Sequence, residues 1–222
     1  MRGLISRGIY DIPSAARILG TSPPAVRRWA HGYKRGGVRY DPVIENYFPE
    51  VEGVRGVGFL ELVELLSVRE FRKVGVPWRK IRSTFDHAAE ALQTRFPFAT
   101  RMWFADRAGI YYQEGDFSPL IEASGGGQVA MKSTLLQYLR QLDFGLDGLA
   151  ERWYPLEPSR AVVLDPQVAY GAPVVKGTGI ETAVLTKLVE GGETPDSVAW
   201  WYELEPDEVD AALEFERSLL PA

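Results

Sequence analysis

Residues 11–31 read Asp11-Ile12-Pro13-Ser14-Ala15-Ala16-Arg17-Ile18-Leu19-Gly20-Thr21-Ser22-Pro23-Pro24-Ala25-Val26-Arg27-Arg28-Trp29-Ala30-His31, and this stretch sets the fold of the chain's first third. Asp11 is placed to cap a short helix with Pro13 in its first turn, and Ala15, Ala16, Ile18 and Leu19 supply the apolar side. Gly20 is a natural stop. Thr21 or Ser22 caps a second helix whose opening Pro23-Pro24 pair loses no needed N–H. Ala25, Val26 and Trp29 form its apolar face, while Arg27, Arg28 and His31 project elsewhere. Two short helices around a glycine turn are the helix-turn-helix outline, and the second is the one that enters a major groove. A plain helical hairpin with solvated arginines fits the same pattern.

Outward from this stretch, Tyr33-Lys34-Arg35-Gly36-Gly37-Val38-Arg39-Tyr40 reads as two short strands about a tight glycine turn, a basic wing, or else a loose basic loop. Residues 41–58 hold Pro42, Pro49 and three glycines and are expected to be irregular. A helix follows, with Phe59, Leu62, Val63, Leu66 and Phe71 as core stripe and Glu61, Glu64, Arg69, Glu70 and Arg72 mostly outside. Gly75 ends it, and Pro77 opens another through Trp78, Ile81, Phe85, Ala88 and Leu92. His87 on that helix reads as an ordinary surface residue.

Charge is unevenly divided over the 222 residues. Residues 1–97 carry 16 Lys/Arg against 10 Asp/Glu, whereas residues 98–222 carry 9 against 20. A basic head on an acidic body suits a nucleic-acid-binding end joined to something with another task. The chain has no cysteine and two histidines, His31 and His87. Disulfide scaffolds, thiol nucleophiles and zinc ribbons are excluded, and no metal centre or cofactor is expected. No apolar run approaches a membrane span, so the chain reads as soluble and cytoplasmic. No carboxylate pair or nucleophile–base set stands out at a catalytic spacing, so no enzyme and no catalytic residue is expected.

The motifs Ala15-Ala16-x-Ile18-Leu19-Gly20, Val26-Arg27-Arg28-Trp29 and Val74-Gly75-Val76-Pro77-Trp78-x-x-Ile81-Arg82 resemble the MerR-type winged helix domain. The likeness covers about 90 residues, with two departures: residues 41–58 are long for that family, and no dimerising coiled coil follows. It implies DNA binding, with Arg27 supporting backbone contact. The expected DNA-binding residues are Thr21, Ser22, Arg27, Arg28, His31, Tyr33, Lys34, Arg35 and Arg39.

In residues 98–158, two aromatic-rich runs around Asp106-Arg107-Ala108-Gly109 predict a β-hairpin. Gly125-Gly126-Gly127 lacks the Lys-Ser/Thr of a phosphate loop and reads as a loop. Leu135, Leu136, Leu139 and Leu142 predict a short helix, and Trp153 to Leu156 a strand.

The last block starts with Val162-Val163-Leu164-Asp165-Pro166 and Gly171-Ala172-Pro173-Val174-Val175-x-Gly177-Thr178, two strands with turns. Three short helices are expected after them: one capped by Thr182, one by Thr194 with Pro195, and one opened by Glu205-Pro206-Asp207-Glu208. Residues 160–217 are similar to a small bacterial domain of unknown function found in VapB-type antitoxins, with Gly179 where that pattern usually has Arg. A MerR-like head with this tail resembles the longer VapB-type antitoxins, whose usual partner is a PIN-like ribonuclease toxin. The resemblance thus implies an antitoxin that neutralises such a toxin by direct binding and represses its own operon at operator DNA. A homodimer is expected, since one helix-turn-helix reads too few base pairs for an operator. Between Glu181 and Arg217 only Lys187 and Arg217 are basic amid many acids, so protein contact is assigned to the tail and DNA to the head. The expected toxin contacts are Trp200, Trp201, Tyr202, Glu203 and Glu205. At least one of the three consecutive aromatics must be exposed, because they cannot all face one side of a helix.

The expected architecture is mainly α with small β elements (α+β). Residues 1–97 form a winged helix-turn-helix, residues 98–158 a central linking segment, and residues 159–222 the antitoxin-type domain. The alternative is a stand-alone regulator in which Trp103, Phe104, Tyr111 and Tyr112 bind a small effector.

Overall fold

The computed structural model describes residues 8–50, 53, 55–100, 103–105, 109–112, 120–122, 129–130, 141–157, 159 and 161–219. The Asp11 carboxylate accepts the Ser14 N–H at 2.7 Å and starts α1 (Ile12–Ile18). The chain turns at Gly20 (φ 56°) into α2 (Pro23–His31), with Ser22 at its N-cap position. Ala15, Ala16, Ile18 and Leu19 bury against Val26 and Ala30, which holds the two helices as a pair.

Strand β1 (Tyr10–Asp11) precedes α1, and the wing is a true hairpin of β2 (Tyr33–Arg35) and β3 (Val38–Tyr40) with Tyr33 opposite Tyr40. Gly36 and Gly37 turn it at φ 57° and 79°. Two successive positive φ angles are what a two-residue hairpin turn of matching twist demands.

Residues 41–58 are mostly irregular but end in β4 (Gly56–Val57), which pairs antiparallel with β1 through Tyr10 and Val57. Then come α3 (Phe59–Lys73) and α4 (Trp78–Ala91), joined across Gly75-Val76-Pro77. Glu61 and Glu64 were expected on the outside of α3. Both are buried, at 5% and 0% exposure, because α3 is central: α2 packs on one side and a 3-10 turn (Pro97–Ala99) on another. Glu61 accepts the Tyr47 N–H and Glu64 the Phe98 N–H.

The hairpin expected after residue 98 is present as β5 (Trp103–Ala105) and β6 (Ile110–Tyr112), and β7 (Leu120–Glu122) and β8 (Val129–Ala130) extend it into a four-stranded antiparallel sheet. The glycine run 125–127, the turn residues 106–108 and Leu135, Leu136 and Leu139 lie outside the described residues. Leu142, expected in a helix, lies instead in β9 (Leu142–Phe144) opposite Trp153 of β10 (Ala150–Trp153), so its side chain is buried by a cross-strand partner. The strand expected at residues 153–156 therefore sits earlier. β11 (Val162–Leu164) and β12 (Pro173–Val175) complete a second antiparallel sheet in the order β12-β11-β10-β9, which spans both sides of residue 158.

The tail ends in α5 (Thr182–Glu190), α6 (Pro195–Tyr202) and α7 (Pro206–Ser218) around Val175, Leu185, Val198, Val209 and Leu213. Thr194 caps α6, and Glu205 with Glu208 forms a capping box at α7. Thr182 does not cap: it is the first residue of α5, and its hydroxyl donates to Glu216 Oε1 at 2.6 Å. Glu216 Oε2 also meets Arg17 of α1 at 3.0 Å. Nearby, the Tyr10 hydroxyl donates to the Gly171 carbonyl at 2.7 Å. Burial pushes that phenol's pKa up, so the donor stays protonated. These bonds fasten the first helix pair to the tail. Among the described residues no helix is long and apolar enough to cross a membrane.

Candidate nucleic-acid and partner interfaces

Three elements meet at a concave cleft of about 880 Å³. Helix α2 contributes Arg28 and Trp29, the wing contributes Tyr33, Lys34, Arg35 and Tyr40, and the first turns of α4 contribute Trp78, Arg79 and Arg82. Its aromatic walls are ordered. Trp29 and Trp78 lie 5.6 Å apart, Tyr33 stacks on Tyr40 at 4.6 Å, and Arg72 lies 4.7 Å over Trp78. Arg82 donates to the Pro42 carbonyl, anchoring the segment after the wing to α4. Among the described residues, Arg28, Lys34, Arg35 and Arg79 have no carboxylate at ion-pair distance. Unneutralised cations between flat aromatic faces suit a polyanion that carries flat groups.

Of the expected DNA-binding residues, this cleft gathers Arg28, Tyr33, Lys34 and Arg35. Arg27 is exposed on α2 but outside the cleft lining, one helical step round from Arg28. Arg39 is exposed on the wing and pairs with Asp41 at 3.5 Å. Ser22 is exposed at the start of α2, and Thr21 is partly buried in the turn. His31 is half-buried with the Asn46 side-chain amide at 3.4 Å. Burial, then Arg55 and Arg27, lower its pKa, so it is neutral near pH 7 and adds no cation for a phosphate. Trp78, Arg79 and Arg82 were not among the expected DNA-binding residues, although Trp78 and Arg82 belong to the motif that carries the MerR-type resemblance. The available signal was the i, i+3 spacing of Arg79 and Arg82 just after a helix-opening proline, which places both on one face.

A second surface lies on α6. Trp200 is 78% and Trp201 49% exposed, so two of the three consecutive aromatics face outward, while Tyr202 packs against the tail core. A hollow of about 530 Å³ is lined by Ala199, Trp200, Trp201, Glu203 and Leu204. Glu203 closes the helix in the left-handed region at φ 55°. Glu205 has an internal task, since its side chain serves the capping box of α7. Of the four aromatics of the effector alternative, two have described side chains. Trp103 is fully buried, its indole N–H donating to the Pro97 carbonyl at 3.0 Å, and Tyr111 is also buried. The side chains of Phe104 and Tyr112 lie outside the described residues.

Residues 162–215 match the family described as "Protein of unknown function (DUF433)". The whole chain is similar to the Mycobacterium tuberculosis protein named "Putative antitoxin VapB45", at 30% identity over 226 residues, covering 93% of this chain and 92% of that one. The "Uncharacterized protein Rv2308" of the same organism is 22% identical, covering 96% of this chain and 91% of that one. The crystal structure of Rv2018 from Mycobacterium tuberculosis superposes with a TM-score of 0.65 at 22% identity, covering 92% of this chain and 96% of the other, which establishes the fold. Sequence identity of this extent, carried over 93% of this chain and 92% of the relative, makes the chain a member of the family that includes the mycobacterial protein named "Putative antitoxin VapB45".

Proposed function

We propose that this chain is the antitoxin of a toxin–antitoxin pair, that its head binds operator DNA to repress its own operon, and that its tail holds a PIN-like ribonuclease toxin. Family membership supports the antitoxin role. The observation that carries the division of labour is the segregation of charge and shape: a concave basic cleft at the head and an acidic, tryptophan-bearing face on the tail. A ribonuclease must guide RNA along a basic surface, and an acidic face can cover that surface and compete with RNA. Exposed tryptophans suit the anchoring role, since large aromatics dominate interface energies. A homodimer presenting two heads would read two half-sites.

The test is co-expression with a PIN-like nuclease that co-purifies with the tagged full chain from its native host. The expected result is rescue of growth and recovery of a stoichiometric complex, both lost with Trp200→Ala/Trp201→Ala. Rescue that persists in this variant overturns the tail assignment; no rescue by the wild-type chain overturns the antitoxin role for that pair.

A further inference from the structure

A third cavity belongs to neither face. It has a volume of about 310 Å³ and lies where the segment after the wing, the start of α3, the approach to the 3-10 turn, and the β9–β10 hairpin meet. This is at the lower end of the size range of small-molecule sites. Its walls include the rings of Tyr47, Phe48, Phe59 and Phe96, with Tyr47 and Phe96 edge to face at 5.5 Å.

Its charge is one-sided. Glu61, Asp147 and Glu151 line it, against the single cation Arg95. The Glu61 carboxylate is 5% exposed and is oriented by the Tyr47 N–H at 3.1 Å. Asp147, in the turn of the hairpin with its Oδ1 accepting the Leu149 N–H at 3.0 Å, and Glu151, on β10, come together over Gly145. A Cβ there would lie 2.5 Å from Glu151 Oε1 and 3.0 Å from Asp147 Oδ1, so the absence of a side chain is what lets both carboxylates close in. The rings already show the chemistry they accept: the Arg95 guanidinium lies 5.2 Å over the Tyr47 ring.

We propose that this cavity binds a small organic cation with a flat apolar body, its ring among Phe48, Phe59 and Phe96 and its positive group beside Glu61, Asp147 and Glu151. An anion would meet three carboxylates, and a neutral ligand would forgo their attraction for a positive group. The same segment that carries Tyr47 and Phe48 leaves the wing at Tyr40. It is pinned by Arg82 at Pro42 and by the Asn46 side-chain amide to the Gly56 carbonyl at 2.9 Å. An occupant therefore stiffens the segment between wing and cavity and ties it to the β9–β10 hairpin. This site stands whether or not the antitoxin reading holds.

The test uses the full chain and benzyltrimethylammonium chloride, read by thermal melting and isothermal titration at constant ionic strength, with benzyl alcohol and phenylacetate as neutral and anionic counterparts. The expected result is saturable 1:1 binding with a rise in Tm for the cation, and affinities at least tenfold weaker for the other two. Glu61→Gln/Glu151→Gln keeps the shape and the Tyr47 N–H acceptor and is expected to weaken the cation about tenfold or more. Glu90→Gln, on the exposed side of α4, is expected to leave it unchanged. Equal binding of benzyl alcohol, unchanged affinity in the double variant, or no saturable binding of the cation would each overturn the proposal. Should the double variant melt early, Glu151→Gln alone, an exposed position, gives the same discrimination.

Discussion

The head and the tail are both built from short helices packed at a turn, yet they present opposite surfaces. On the head, α2, the wing and α4 curve around arginines and stacked tyrosines. On the tail, α6 pushes two tryptophans outward beside acidic helix ends. Short helices packed at a turn are thus no guide to a ligand by themselves. The sign of the charge and the curvature of the face decide it, because nucleic-acid affinity rests on phosphate neutralisation while protein anchoring rests on desolvated aromatic area. The cores differ as well. The head shares one large core with the middle of the chain, from Tyr10 to Leu164, whereas the tail helices close over a smaller cluster around Leu185, Val198 and Val209.

The largest expected effect tests that contrast of cores. Phe98 sits edge to face with Phe71, Phe85 and Trp103 at 5.1, 5.4 and 5.3 Å, and Trp103 is fully buried. Trp103→Ala is expected to cost roughly 3–5 kcal/mol in urea unfolding. A loss under 1 kcal/mol would mean that the middle segment is not part of the head's core.

Next in size is the electrostatic contrast. Arg28→Ala/Arg79→Ala is expected to weaken operator binding and to reduce the slope of log affinity against log salt by about 2, roughly one for each phosphate contact removed. If the slope is unchanged, the cleft does not hold the DNA backbone.

A smaller effect concerns pH. Burial, with Glu61 and Glu45 nearby, pushes the Glu64 carboxyl well above the ordinary carboxylate pKa of 4.5, against the opposing pull of the Phe98 N–H. The folded protein keeps this proton while the unfolded chain loses it above pH 4.5. Stability from this group is therefore full below that pH and declines as pH rises towards the folded-state value. Glu64→Gln retains an oxygen acceptor for Phe98 and is expected to be more stable than wild type at pH 7.5, with the two converging below pH 4.5. Equal pH profiles for the two proteins would show that Glu64 is already ionised in the fold.

Much of both faces was legible in the sequence because local signals agreed. Asp11, Gly20, Gly36-Gly37, Thr194 and Glu205-Pro206 each mark an element end by chemistry that acts within four residues, and each does so in the structure. What was not legible depends on distant partners. The β1–β4 pair joins distant residues through strands too short to show alternation, as Tyr10 opposite Val57 illustrates. Leu142 carries helical spacing but takes a strand because Trp153 lies across from it. Glu64 looks solvent-facing on α3 until the 3-10 turn with Phe98 covers it. The Arg79 side of the cleft needed α4 to be brought beside the wing, a placement no local pattern encodes.

The division of labour is tested most directly by crossing two variants with two ligands. Fluorescence anisotropy at about 150 mM salt, the ionic strength at which surface charges are screened over roughly 8 Å, would measure affinity for promoter DNA and for a nuclease that co-purifies with the chain. The variants are Arg28→Ala/Arg79→Ala and Trp200→Ala/Trp201→Ala. The account predicts a double dissociation. The arginine variant loses DNA affinity at least tenfold and keeps the nuclease, while the tryptophan variant loses the nuclease at least tenfold and keeps DNA. Equal losses of both ligands in either variant, or the reverse pairing, would contradict it.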